Sequence, residues 1–349
     1  MISIHTFELM TALSKDELHL LWEHWDVTGE KRKYINHAYS AYGVNIEVER
    51  GRKKGFIYLR MRINPNRIIH SGDYLNLYEH NDENHKKVWD TIEWIWSEAG
   101  AGIPYERLYL SRVDFTIDIK MKSEEMVREY VRLLGKSILI PNSKMVSTSN
   151  MKHWKKDMGA DEEIGFYWKK YEMTGNEDIQ IYSKLFQLQN EDIMDHESID
   201  QLGYHILRLE MQIKRKKLKQ ILDRIMPGEE IPSNQFKMLL DYEHDLIMER
   251  LMDFYKPGMY VRKKEIIKIV NADNSIRAKS KNQIIELIES SNRSITLGRC
   301  LDIDYAKNYE KKRQKSLKYL SDKRYSPVCI GGGFKEADSL PDIFEMISE

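Results

Sequence analysis

Three segments of the 349-residue chain carry acids, a phenol and long cations at alternate positions among apolar residues. They are RVDFTID (Arg112 to Asp118), IYSK (Ile181 to Lys184) and LRLEMQIKR (Leu207 to Arg215). A period of two sends successive side chains to opposite faces of a β-strand. In a common sheet, Asp114 and Asp118, Tyr182 and Lys184, and Arg208 and Glu210 would then share one surface, with Val113, Phe115, Ile117, Ile181, Leu207 and Leu209 on the other. Carboxylates, a phenol, an ammonium and a guanidinium together suit phosphate chemistry. Mg²⁺ or Mn²⁺ takes carboxylate oxygens and leaves positions for a phosphate, polarising phosphorus toward attack. The phenol is the natural nucleophile, and at its ordinary pKa of about 10 it needs positive charge nearby to favour phenolate. Lys184, two residues on, would lie roughly 6 to 7 Å away along the strand.

Spacing limits the metal assignment. Four residues separate Asp114 from Asp118, about 13 Å on a straight strand, too far for both to touch one ion. Asp114 with Glu210 is the favoured pair, and Asp118 is the alternate ligand or positioning group. The competing reading of each carboxylate is an ion pair with Arg112, Arg208 or Lys214. A second Tyr-x-Lys triplet at Tyr167 to Lys169 makes Tyr167 the rival nucleophile.

The elements that must position these groups follow from the same periodicities. Alternation also marks Val44 to Val48 and Ile57 to Ile63, joined by a Gly51-containing turn into a hairpin. Val88, Trp89, Ile92, Ile95 and Trp96 fall at helical spacing, and Ser123 can cap a helix carrying Met126 to Leu134 and ended by Gly135. The expected fold class is α+β, an antiparallel sheet with helices packed on one face and the polar face open. Beyond MPGEEIPSN the pattern is mostly helical, with a long helix from Ser233 or Asn234 to about Tyr255. Three domains are expected: a sheet domain over 1–226, a helical region over 227–330, and a flexible acidic tail over 331–349 introduced by the Gly331 to Gly333 joint.

The chain holds 55 Lys+Arg against 55 Asp+Glu, and this neutral sum hides an asymmetry. Residues 256–324 contain 18 basic and 8 acidic residues, a surplus suited to a polyanion, although solvated helix faces would look alike. Two cysteines exclude a disulfide framework and a four-thiolate zinc site. P-loop, dinucleotide and zincin motifs are absent. No window approaches the roughly 18 apolar residues of a membrane helix, and the opening MISIHTFELM lacks a signal-peptide pattern. A cytoplasmic protein with no membrane partner is expected.

The ordered set RVDFTID, IYSK and LRLEMQIKR, followed by a helix, resembles the rolling-circle replication initiators of Gram-positive plasmids. It is also similar to filamentous-phage replication endonucleases and conjugative relaxases. The resemblance covers about residues 40–225. It implies an enzyme whose tyrosine attacks one DNA strand at a replication origin, stays joined to the 5′-phosphate and frees a 3′-hydroxyl. Carried over, the nucleophile falls on Tyr182, its basic neighbour on Lys184, and acidic metal positions on Asp114 and Glu210. The 11 histidines include no His-hydrophobic-His triplet, so the ligand pair of the better-known relatives is missing and carboxylates would serve instead. Arg60, Arg62, Arg208, Lys214, Arg215, Lys216 and Lys217 are the expected DNA-binding cations. Tyr167 and Trp168 are candidates for stacking on unpaired bases. A host helicase and a second copy of the chain remain open as partners. A relaxase of the same chemistry and a non-catalytic DNA-binding regulator on the same scaffold are the alternatives.

Overall fold

The structure is a computed structural model and describes residues 2–28, 32–51, 56–139, 143–147, 165–170, 177–293, 297–302 and 306–348. For 143–147, 165–170, 299, 302 and 306–310 it describes the backbone alone. Strands in chain order are β1 (Ile2–Leu13), β2 (Lys33–Asn36), β3 (Val44–Arg50), β4 (Ile57–Ile63), β5 (Tyr109–Met121), β6 (Ser143–Ser147), β7 (Gly165–Lys170), β8 (Glu177–Ser183), β9 (His205–Lys214), and the short β10 (Tyr260–Val261) and β11 (Ser339–Leu340). Helices up to the middle of the chain are α1 (Lys15–His24), α2 (Pro65–Ile69), α3 (Asp82–Ala99), α4 (Glu124–Ser137), α5 (Lys184–Asn190), α6 (His196–Gln201), α7 (Arg215–Ile225), α8 (Pro232–Asp241) and α9 (Glu243–Phe254). The α+β class expected from alternation is the class found.

The chain divides into two compact units, and the division is not the linear one expected at residue 226. One unit joins Ile2–Thr116 to Glu210–Glu243; the other joins Ile117–Leu209 to His244–Glu349. The chain passes from one unit to the other inside β5 and again inside β9. Linker composition cannot reveal such a boundary, because both crossings lie in strands with unbroken apolar alternation.

In the first unit the strand order is β2-β3-β4-β1-β5-β9. The β3–β4 hairpin is antiparallel with Val48 opposite Leu59 and Ile46 opposite Met61. β1, which the sequence reading did not mark, pairs antiparallel with β4, Leu9 opposite Met61. These partners share the buried face, where Leu9, Ile46, Val48, Leu59 and Met61 are all buried. The helical face opposite them is supplied by α3, which Asn81 caps through its side chain. Phe7, Trp89 and Phe236 form one aromatic cluster, with ring centroids 4.4 Å apart for Phe7 and Phe236 and 5.7 Å for Phe7 and Trp89. Truncating any of the three costs about 3–5 kcal/mol. The expected long helix is two helices, α8 with Pro232 at its first turn and α9, separated at Tyr242.

In the second unit the order is β5-β9-β8-β7-β6. α4 packs against β8 and β7. Ser123 caps it by accepting the Met126 N–H at 3.0 Å, as its sequence signals. Gly135, expected to end α4, lies inside it. The face opposite the apolar one is not open here: every residue of β8 except Gln180 is buried.

The segment 331–349, expected as a flexible tail, is held by specific bonds. The Gly331 N–H donates to Glu129 at 2.7 Å, and β11 pairs with β10. The Gly258 N–H donates to Asp342 at 2.5 Å, and Phe334, Leu340, Ile343 and Phe344 are buried. Acidic composition suggested solvation; the apolar residues interleaved with the acids decide the outcome.

Candidate active site

The polar face of the first unit carries a continuous charge network. Arg60 on β4 reaches Glu49 at 2.6 Å, Glu47 at 3.5 Å and Glu8 of β1 at 3.9 Å. Glu8 accepts the Ser111 hydroxyl at 2.7 Å. Beside them, Arg112 clamps Asp114 with two N–H donors, the Nε bond being 2.8 Å. Both residues project from β5 to one side because two positions separate them.

Glu210 of β9 is the second acid of this cluster. Burial pushes the Asp114 carboxyl above its ordinary pKa; Arg112 and Gln212 oppose the shift, and Glu210 adds to it. Like charges held close disfavour joint ionisation. Glu210 also faces His5 Nδ1 at 3.7 Å, and the other ring nitrogen of His5 lies 3.4 Å from Asn64. Sequence reasoning missed His5, because the histidine on β1 lies 205 positions from its acid partner and no local motif joins them.

The favoured acid pair is therefore brought together, but not as a ready metal site. Both Asp114 oxygens serve Arg112, and among the described residues no group of three His, Cys, Asp or Glu side chains converges as ligands. As arranged, the donors do not fit a divalent cation, and the guanidinium supplies the positive charge.

The second unit holds the phenol. Tyr182 lies on β8 and is 6% exposed. Lys184 corrects its expected placement on the same strand face: β8 ends at Ser183, whose hydroxyl accepts the Phe186 N–H at 3.5 Å and opens α5. Lys184 is thus the first residue of a helix, buried, with Nζ donating to Gln187 at 3.0 Å. A Ser within a polar triplet is a cap signal that the two-residue period conceals. Nearby, the Ser183 hydroxyl donates to Glu124 at 3.1 Å, and Glu124 meets His205 Nδ1 at 3.3 Å. The rival Tyr167 pairs in register with Gln180, two residues from Tyr182; its side chain lies outside the described residues.

Asp118 and Arg208 realise the competing reading of the polar alternation. Arg208 donates from Nε at 2.7 Å and from a terminal nitrogen at 2.6 Å to the two Asp118 oxygens. Its side chain has no exposure, which corrects its expected role at the DNA backbone. A long cation on a polar strand position looks solvated in sequence; only the partner strand shows it to be enclosed. Of the other expected DNA-binding cations, Arg62, Arg215 and Lys216 are exposed, Lys217 and Lys214 are half-buried, and Lys214 donates to Gln212 at 2.7 Å. Arg60 is committed to its three acids. Among the described residues no helix is long and apolar enough to cross a membrane.

Residues 25–235 match the phage replication-associated protein family, in the N-terminal part that defines it. The match takes in all three motif segments and more than half of the chain. The chain belongs to this family, which bears out its resemblance to the rolling-circle replication initiators. No curated protein matches it. Among solved structures, a rolling-circle replication initiator protein from Geobacillus stearothermophilus is similar at 13% identity and a TM-score of 0.29, over 64% of this chain and 79% of that one.

Proposed function

We propose that this replication-associated protein nicks one strand of an origin and rejoins it through a covalent link to Tyr182. The observation that carries the reading is the family match across RVDFTID, IYSK and LRLEMQIKR, together with the acid cluster those motifs build around Asp114 and Glu210. In this reaction the Tyr182 oxygen attacks phosphorus, forming a tyrosyl 5′-phosphodiester as the P–O3′ bond breaks. The phenolic proton leaves and the 3′-oxygen gains one, so the freed 3′-hydroxyl can prime synthesis. Positive charge favours the phenolate, a role for Lys184. Glu210 and Asp114 are the groups toward which a divalent cation would be drawn, and Arg112 is the cation it would have to displace. No step depends on it here.

Tyr182→Phe is expected to abolish both nicking and the covalent adduct while origin binding persists. Mass spectrometry of the peptide joined to an oligonucleotide names the attacking residue. An adduct on Tyr167 would move the role there and refute the assignment to Tyr182.

One observation favours a second reading, a DNA-binding regulator without catalysis: both strand aspartates are engaged by arginines. Incubation with a supercoiled replicon and Mn²⁺ separates the two, since open circles form only if the protein cuts. A conjugative relaxase shares the chemistry and differs in its DNA and partners.

A further inference from the structure

A groove of about 1020 Å³ lies wholly within the first unit and belongs to none of the groups named so far as nucleophile or acid pair. Its walls include Phe56, Tyr58 and Tyr109, and the basic residues Arg215, Lys216 and Lys219 of α7. The volume sits at the top of the roughly 300–1,000 Å³ usual for ligand pockets, so it holds an extended ligand rather than one small molecule.

The aromatic lining is conspicuous because large apolar side chains are normally covered. Phe56 is 54% exposed and Tyr109 45% exposed, placing both among the most exposed large hydrophobics of the described residues. The Phe56 and Tyr58 rings lie within 12° of parallel, with centroids 6.3 Å apart. Exposed, rigid, near-parallel rings are what unpaired bases stack on, and every base offers a π-face. Burial is the larger influence on the Tyr109 phenol, whose pKa is raised, and Arg215 and Arg60 lie close enough to act on the same oxygen.

The cations stand where a backbone would need them. Arg215 holds a left-handed backbone at φ 51°, a strained state for a residue with a Cβ. It turns β9 directly into α7. The first turn of α7 has no acidic residue and no side-chain cap, so its N–H groups and its lysines favour an anion together. Among the described residues, Arg215, Lys216 and Lys219 form no ion pair, and all three are exposed. Asp223, Glu229 and Glu230 also line the groove, which confines a phosphate path to the first turn of α7.

We infer that this groove binds single-stranded DNA, its bases on Phe56 and Tyr109 and its phosphates along Arg215, Lys216 and Lys219. The inference rests on the nicking reading for its substrate class and adds where the unpaired strand is held.

The test is fluorescence anisotropy of the full chain with labelled single-stranded and duplex oligonucleotides across a salt series. Phe56→Ala and Tyr109→Ala should each weaken single-strand binding roughly 5- to 150-fold for a lost stacked base, with duplex binding unchanged. Tyr109→Phe, which keeps the ring, should retain affinity and shows that the loss is one of stacking. Lys216→Ala with Lys219→Ala should lower the slope of log affinity against log salt by about 1.4, at roughly 0.7 per phosphate contact. Unchanged single-strand affinity in the alanine variants, or equal losses on duplex, overturns the groove while leaving Tyr182 nicking intact. A wild-type chain that neither binds single strands nor nicks overturns both.

Discussion

Two aspartate–arginine clamps, one in each unit, use the same chemistry to opposite ends. Asp118 and Arg208 come from different strands, and the arginine is fully enclosed. Asp114 and Arg112 lie on one strand, with the arginine side chain 19% exposed. Only the second clamp has another carboxylate beside it, Glu210, and only there is the acid pushed above its ordinary pKa. A clamp whose charges are matched and buried fixes strand positions. One that leaves an excess acid in a partly open cluster holds unrelieved electrostatic cost, which is a mark of a functional site. Motif position alone would have ranked the two aspartates as equivalent.

The comparison breaks most readily at Arg208. Arg208→Ala leaves the Asp118 charge without its buried partner and should cost about 3–5 kcal/mol, read as a large drop in the denaturation midpoint. Arg112→Ala, at a partly exposed site, should cost clearly less. Equal losses would erase the distinction.

Asp114→Asn sharpens it. Nicking should fall by about two orders of magnitude, the scale for removing a positioned group at a reacting centre. Stability should move the other way. An acid whose folded-state pKa is raised stabilises the fold below its unfolded value near 4, and that stabilisation is lost as pH rises through the raised value. Asparagine stays neutral, so the variant should melt above wild type at pH 7 to 8, by roughly 2 to 4 °C for each kcal/mol recovered, and match it below pH 4. A lower melting point at pH 8 would contradict the raised pKa.

Glu210→Gln removes the like charge without removing the clamp. The Asp114 pKa should shift downward, measured by carboxyl carbon NMR against pH. The smallest effect belongs to Arg60→Ala. Three acids share that arginine, and it is 18% exposed, so its loss should cost no more than about 1 kcal/mol in a thermal melt.

Much of this arrangement was legible in residue order. Alternation in Val44 to Val48, Ile57 to Ile63 and Leu207 to Ile213 located three strands and their buried faces correctly, because burial of one face imposes a period of two. Ser123 announced α4 by its capping chemistry. β1 escaped because its buried positions include Ser3 and Thr11, which blur the apolar count. The groove aromatics escaped as well: Phe56 precedes β4 and Tyr109 opens β5, and isolated rings at strand ends carry no pattern of their own.

The order of residues determined the family, the α+β class and the grouping of acids, phenol and cations on three strands, since motif sequence and binary pattern are local properties written along the chain. Tertiary structure alone decided that Arg208 is enclosed while Arg112 is partly open, that His5 meets Glu210, and that 331–349 is packed. Each of these depends on partners from distant segments. Burial, charge pairing and the resulting pKa shifts are properties of what surrounds a side chain, and those surroundings exist only once the strands are paired.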